Sequence, residues 1–366
     1  MSERPINVAV IGCGRVAGHH IRSIADVEGG RIVAVCDLVA EKAQAYAQQY
    51  NVAAFTNYHE MMRTVREIDV VAVATPSGMH SEHAMDIMRR YGKHILVEKP
   101  TFMHPHQLHE AYDYAETHGL KIFPVFQNRH NKAVQHLKQA IDKGELGAIR
   151  IMAVRVRWCR PQRYYNLAPW RGTFSHDGGA LSNQGIHHID LMRYLGGEVA
   201  ELNATLRTLG AEIEVEDTAV ATFKYPSGAV GVVEVTTAAR PDDFEASLSI
   251  VGEKGLAQLG GWAVNELQIY TPDPAACAEA SEKIPDAYGF GHRTVYRDVV
   301  ADLSGKKSYP VDRRDCLNTL NLLHAFYRSD EIGDWVDVQA GHPSNRLGRP
   351  NEEISNLYRT PAPLTV

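Results

Sequence analysis

A chain of 366 residues predicts two domains, each large enough to bury its own core. Its 44% hydrophobic and 22% charged content is that of a soluble globular protein, and a net charge of −6 removes any general attraction to nucleic acid or anionic lipid, so an anion site has to be local. The five cysteines, Cys13, Cys36, Cys159, Cys277 and Cys316, are scattered and suggest neither a disulfide framework nor a zinc site, and no stretch approaches the roughly 18 apolar residues of a membrane span. A cytoplasmic protein is expected, with no membrane, nucleic-acid or metal partner.

Residues 6–11 form an apolar run that stops at Gly12-Cys13-Gly14-Arg15-Val16-Ala17, with a helix-compatible stretch following to residue 24. A buried strand, a Gly-rich turn and a helix start make a dinucleotide fingerprint: Gly12 for the tight turn, Gly14 for close approach of backbone to a pyrophosphate, small Ala17 for helix packing. Arg15 and Val16 open the helix, whose N-terminus favours negative charge. A second strand, 31–36, ends at Asp37, about 20 residues past the glycines, where an acid is expected on ribose hydroxyls. No cation follows Asp37 before Lys42, which favours NAD over NADP as cofactor.

The alternation continues with a helix over 40–50 and a strand over 68–74, which delivers Thr75-Pro76 to the sheet's carboxyl edge. His80 sits in the first turn of the next helix, 79–91; its spacing from His83 is too short for the usual i, i+4 zinc pair. Strand 94–97 brings Glu98-Lys99-Pro100 to the same edge, and a lysine leaving a buried strand needs a partner or a chemical role. Strand 121–126 completes the sheet, and Gln127, Asn128 and Arg129 emerge from it. The fold class expected is α/β: a Rossmann doubly wound parallel sheet in residues 1–126, then a C-terminal α+β domain, 127–338, on a large, open, mostly antiparallel sheet. Hairpin signals support the second part, with strands 216–225 and 229–237 around Pro226-Ser227-Gly228 and another pair around residues 252–255. The 219–235 region is rather apolar on both faces, which predicts a homo-oligomer, dimer or tetramer. Residues 339–366, rich in Pro, Gly, Asn and Arg, are expected as an extended or disordered tail.

Two segments bear on chemistry. Between Gly147 and His176 there is no acid, while Arg150, Arg155, Arg157, Arg160, Arg163 and Arg171 alternate with Trp158, Tyr164, Tyr165, Trp170 and Phe174. Such a segment suits a small anionic ligand with a flat sugar or base; alternatively, its arginines meet solvent or acids elsewhere. Residues 176–197, HDGGALSNQGIHHIDLMRYLGG, read as a Gly-rich loop entering a short helix. Helical spacing puts Leu181, Ile189, Met192 and Leu195 on one face and Asn183, His187, Asp190 and Tyr194 on the other. The second face either meets solvent or lines a cleft, and its lack of Lys and Glu argues for the cleft. His188 is expected to be buried and hydrogen-bonded.

IGCGRVAGHH, ATPSGMH, VEKPT and GGALSNQGIHHIDL together resemble the Gfo/Idh/MocA family of nicotinamide-dependent oxidoreductases over nearly the whole chain to about residue 338. A closer similarity, carried by FQNRHN, RPQRYYNLAPWRGTF, IEVEDT, SIVGEKG and YGFGH, is to WlbA-type UDP-2-acetamido-2-deoxyglucuronate 3-dehydrogenases of bacterial polysaccharide synthesis. The resemblance implies oxidation of a sugar C3 hydroxyl with hydride passing to NAD. It puts the family's lysine at Lys99 and its histidine at His187; many members carry aspartate where this chain has Asn183. The implied cofactor-binding residues are Gly12, Gly14, Arg15, Val16, Asp37, Thr75, Pro76, His80, Glu98, Lys99 and Gln127. The substrate is expected at Lys99, Asn128, Arg129, Arg160, Tyr165, Trp170, Arg171, Asn183 and His187. His187 as base with Lys99 on the oxyanion, or the reverse, both satisfy the chemistry, and Asp190 is placed to orient His187. The same motifs also fit an inositol-type polyol dehydrogenase, a dehydrogenase of another nucleotide sugar or an NAD-dependent glycosidase; a protein that merely senses nicotinamide would not need Lys99 with His187.

Overall fold

The computed structural model describes residues 4–361, and the chain divides into two compact units. The first comprises residues up to Val125, His292–Cys316 and the chain from Pro350; the second comprises Phe126–Gly291 and Leu317–Arg349.

Six parallel strands build the first unit: β1 (Ile6–Ile11), β2 (Gly30–Cys36), β3 (Ala53–Phe55), β4 (Val70–Val73), β5 (His94–Val97) and β6 (Ile122–Pro124). Their order, β3-β2-β1-β4-β5-β6, reverses between β1 and β4, the switch point at which doubly wound sheets bind ligands. Apolar runs such as Val70–Val73 suit strands covered on both faces, and all four of those residues are buried. Val8, Val10 and Leu96 pack with Ile21 and Ile24 of the helix Ala17–Ala25 and with Val295, Tyr296 and Val299 of the returning segment. The short edge strand β3 has no apolar run to mark it, and two of its three residues are exposed.

The chain beyond Val338 differs from the expected tail. Residues to Arg349 belong to the second unit and those from Pro350 to the first, where the short helix Glu352–Asn356 forms and Arg359 pairs with Glu82 and Glu352. Charge pairing and an Asn351 cap give this polar segment order that composition hides. The last residues of the expected tail, 362–366, lie outside the described residues.

The second unit carries eight strands: β7 (Ile149–Arg157), β8 (Glu201–Arg207), β9 (Thr218–Lys224), β10 (Val230–Thr236), β11 (Glu245–Gly252), β12 (Leu256–Gly260), β13 (Glu266–Tyr270) and β14 (Val336–Asp337). In the order β13-β12-β11-β7-β10-β9-β8-β14 every pairing is antiparallel except β7 with β10. Alternate residues of β9 and β10 are buried, as a sheet covered on one face requires. The helix Ile186–Gly196 lies on the covered side, where a Cβ on Gly185 would stand 3.2 Å from Val235. The other side keeps Ile151, Val220, Val230, Val232, Val251 and Ile269 exposed.

Candidate active site

The first unit presents its chemistry at the carboxyl edge of the parallel sheet. Gly12 has φ +89°, and a Cβ there would stand 2.5 Å from the Ala74 carbonyl oxygen, so only glycine fits. At Gly14 a Cβ would meet nothing within 4 Å, and Gly14 and Arg15 are exposed. The turn therefore has the open space a pyrophosphate needs, directly before the helix Ala17–Ala25. Asp37 accepts from the Cys13 amide at 2.7 Å and the Val39 amide at 2.8 Å; each carboxylate oxygen keeps a lone pair for a ribose hydroxyl. These features fit a nicotinamide dinucleotide.

Thr75 and Pro76 are half-buried on the loop after β4, and the Thr75 hydroxyl lies 3.0 Å from His83 Nδ1. His80 departs from a direct cofactor contact: its Nδ1 lies 2.9 Å from the Pro100 carbonyl oxygen and its Nε2 2.9 Å from that of Thr75, and because both oxygens only accept, the neutral ring donates to one of the two loops at a time. Burial lowers its pKa below the ordinary histidine value. Glu98 is buried and satisfied from within the unit: Oε1 faces Nε2 of His20 and Nε2 of His292, each at 3.0 Å, and Oε2 accepts from the Lys99 amide at 3.0 Å. Lys99 follows, half-buried.

In the second unit the Gly-rich stretch works as a hinge into the site helix. Gly178 and Gly179 have φ of +79° and +89°, and a Cβ on Gly179 would collide with the Glu216 carboxylate. The chain then makes a π-helical turn, Leu181–Gly185, before the α-helix Ile186–Gly196; such widened turns are frequent at functional sites. Asn183 sits on this turn, half-buried, with its amide donating to Asp177. His187 Nε2 stands 3.0 Å from Gln127 Nε2, both buried. An amide nitrogen only donates, so in this arrangement a neutral His187 accepts at Nε2 and carries its proton on Nδ1.

The polar face expected from helical spacing is thus withdrawn from solvent, with His187 and Asp190 both buried. Two expected roles change. Asp190 does not orient His187: Arg129 donates to both of its oxygens at 2.6 Å and Thr319 donates to Oδ1 at 2.9 Å. Arg129 is therefore committed to that pair, with its guanidinium over Phe126 and Tyr194, because an unpaired carboxylate at such depth would be far more costly. Asn128, also buried, has an Oδ1 with no hydrogen-bond partner among the described residues. His188 is buried as expected but lacks the expected hydrogen bonds: neither ring nitrogen has a partner among the described residues, and burial pushes its pKa down to about 4.

The arginine segment splits in two. Arg155 and Arg157 lie on β7 and pair with Glu234 of β10, Arg157 also with Glu245 of β11, so these are sheet-face ion pairs. Arg160 stacks over Trp158 and Tyr164 while holding Asp243 at 2.8 Å. Arg171 stacks over Tyr164 at 4.3 Å and Trp170 at 4.5 Å, donates to the Tyr164 hydroxyl, and keeps a buried Nε without a partner among the described residues. Gln184, one residue past Asn183 and not singled out by its sequence context, donates to the same Tyr164 hydroxyl at 3.2 Å. Tyr165 turns inward, its hydroxyl 2.9 Å from that of Thr237, which makes it a packing residue. Gln184 and Glu216 were hidden in the sequence because their partners, Tyr164 for the first and Leu181 and Tyr327 for the second, are distant along the chain.

Comparison with known proteins agrees with both halves. Residues 6–126 match the oxidoreductase family model for an NAD-binding Rossmann fold, and residues 134–258 match the GFO/IDH/MocA C-terminal domain. The structure of the WlbA dehydrogenase from Bordetella pertussis, solved with NADH and UDP-GlcNAcA, is 35% identical with a TM-score of 0.86, over 92% of this chain and 99% of that one. The Chromobacterium violaceum WlbA dehydrogenase is also 35% identical, with a TM-score of 0.83, over 92% and 97%. D-glucoside 3-dehydrogenase of Escherichia coli is 29% identical over 92% of this chain and 99% of its own. The chain belongs to the Gfo/Idh/MocA family of oxidoreductases and carries its NAD-binding Rossmann domain.

Proposed function

We propose that this enzyme oxidises the C3 hydroxyl of UDP-2-acetamido-2-deoxyglucuronate to the 3-keto sugar, with NAD as the acceptor, in bacterial nucleotide-sugar metabolism. The observation that carries the reading is the cluster of Arg160 and Arg171 on Trp158, Tyr164 and Trp170, in a chain 35% identical to dehydrogenases solved with UDP-GlcNAcA. Guanidinium forks suit a uronate carboxylate or a diphosphate, and flat rings suit a sugar face. The buried Nε of Arg171 is a donor that an anionic substrate would satisfy.

Gly12, Gly14 and Asp37 hold the dinucleotide, which when bound supplies the acceptor for the carbinol hydrogen. Lys99 of the first unit and His187 of the second are the two residues we assign to the hydroxyl proton. With Nε2 accepting from Gln127, His187 presents Nδ1–H, which suits holding the hydroxyl oxygen, and Lys99 then takes the proton. Reversal of the Gln127 amide exchanges these roles. Asn183 positions the sugar. The five cysteines are free thiols, in keeping with a reducing cytoplasm, and the apolar outer sheet face supports a homo-oligomer.

Turnover followed by nicotinamide absorbance tests the reading: UDP-2-acetamido-2-deoxyglucuronate with NAD should form NADH far faster than UDP-N-acetylglucosamine, inositol or a simple glucoside. A second reading, oxidation of a free glucoside at C3, is favoured by the match to D-glucoside 3-dehydrogenase. Faster NADH formation from the glucoside would select it.

A further inference from the structure

We infer that the buried carboxylate of Glu98, ringed by His20 and His292, makes the first unit hold the oxidised dinucleotide in preference to the reduced one. The inference rests on the nicotinamide-linked reading of this unit and adds to it a residue that sets its redox preference.

Three donors converge on the carboxylate. Nε2 of His20 and Nε2 of His292 each lie 3.0 Å from Oε1, and the Lys99 amide lies 3.0 Å from Oε2. An ionised carboxylate only accepts, so both Nε2 atoms carry protons. His20 Nδ1 lies 3.0 Å from the Tyr296 hydroxyl, which can donate to it, leaving His20 neutral. The two imidazoles meet edge to face with centroids 4.9 Å apart, an arrangement that opposes a charge on both. Burial alone would push Glu98 upward, but the hydrogen bonds donated by the two histidines outweigh it and hold the carboxyl well below its usual range. Burial moves His292 downward. With both histidines neutral, the cluster carries one net negative charge in the protein interior.

Its position gives that charge a role. Asp37 at the end of β2 marks the ribose on the adenine side, and the Gly12–Val16 turn after β1 marks the pyrophosphate. In the order β3-β2-β1-β4-β5-β6 the nicotinamide half then runs toward β4 and β5, and Glu98 directly follows β5. The ring is cationic only when oxidised. A fixed buried anion therefore stabilises NAD+ and gives nothing to NADH.

The same three side chains form a set whose ligand atoms all lie within 4.8 Å, a two-histidine, one-carboxylate grouping that a metal could also use. A metal would displace the two Nε2 protons that satisfy Oε1, so the hydrogen-bonded cluster is the reading the distances favour.

The test is the pair of dissociation constants for NAD+ and NADH, measured at pH 8 on the full chain by ligand fluorescence and competition. Glu98→Gln should shift the preference about tenfold toward NADH, the order expected for one buried charge acting through protein. Glu98→Asp, which keeps the charge, should stay within about threefold of the parent ratio. Equal weakening of both nucleotides in Glu98→Gln, or an unchanged ratio, overturns the inference. So does stoichiometric zinc or another metal in the purified parent protein with a preference that chelation abolishes. A parent protein that binds neither nucleotide sinks the nicotinamide reading itself. Where Glu98→Gln does not fold, the parent constants at pH 8 serve instead: a parent protein that binds NADH more tightly than NAD+ overturns the inference. The other titratable groups facing Glu98 are Lys99, His80 and Tyr296; burial lowers His80 and raises the Tyr296 phenol.

Discussion

Arg129 grips Asp190 through two parallel hydrogen bonds of 2.6 Å, with both side chains buried in the second unit. The pair fixes the helix that carries His187 against the segment that carries Gln127. Removing one partner strands a buried charge, so Arg129→Met should destabilise the protein by about 3–5 kcal/mol. Replacing both with apolar residues, Arg129→Met with Asp190→Leu, should recover much of that loss. Urea unfolding of the two variants checks this; equal stability of the single variant and the parent would remove the pair from the fold's support.

Lys99 and His187 are expected to carry the proton chemistry. Lys99→Met and His187→Asn should each lower turnover by at least about a hundredfold while nucleotide binding persists. Gln127→Leu frees His187 Nε2 and should shift the pH profile of kcat/KM more than it lowers the maximum. A near-normal rate in Lys99→Met or His187→Asn would exclude that residue from the reaction.

Much of the first unit was legible because its strands are covered on both faces and so read as plain apolar runs, each delivering a short polar loop to one edge. Gly12, Gly14 and Asp37 were visible for the same reason: a local turn and a fixed offset need no tertiary knowledge. The ring of histidines on Glu98 was not, because His292 lies 194 residues away and closes the cluster only when the chain returns to the first unit. The polar stripe through His187 was legible as a stripe, yet its partners, Gln127 and Arg129, come from a loop about 60 residues earlier. His188 shows the limit of a general rule. Buried polar groups are nearly always hydrogen-bonded, and this imidazole is an exception among the described residues.

The two stacked arginines should differ in effect. Arg160 already holds Asp243, whereas Arg171 keeps an unpartnered buried Nε. Arg171→Ala should raise KM for UDP-2-acetamido-2-deoxyglucuronate by tenfold or more, roughly the contribution of one charge-assisted hydrogen bond, and Arg160→Ala by less. KM for UDP-N-acetylglucosamine, which lacks the sugar carboxylate, should change little if the contact is to that carboxylate. Equal effects on both sugars would move the contact to the diphosphate.

The exposed face of the large sheet carries Val230 and Val232 two residues apart on β10 and Val220 diagonal to Val232 on β9, with relative exposures of 48%, 41% and 52%. An apolar patch on a sheet invites a second copy of the chain. Sedimentation at micromolar concentration should show a dimer or tetramer, and Val232→Glu should shift it toward monomer. A monomeric parent would sink the proposal.

Glu216 makes stability depend on pH. Its carboxyl is fully buried, accepts from the Leu181 amide at 3.0 Å, and lies 2.8 Å from the Tyr327 hydroxyl, which also donates to the Gly178 carbonyl. One phenolic proton cannot serve both oxygens, and a protonated carboxyl supplies the second. Burial pushes its pKa up to about 8, only partly offset by those hydrogen bonds. A carboxyl raised in the folded state stabilises fully below its unfolded value, and that contribution falls as pH rises, disappearing above about 8. The slope is roughly 1.4 kcal/mol per pH unit, so up to about 4 kcal/mol should be lost between pH 5 and pH 8. Glu216→Gln cannot ionise; it keeps an oxygen for Leu181 but places an amide where Oε2 has no partner, a cost of about 1–3 kcal/mol at every pH. The variant should therefore be less stable than the parent at pH 5 and more stable at pH 9, and parallel melting temperatures across that range would show Glu216 to be ionised in the fold.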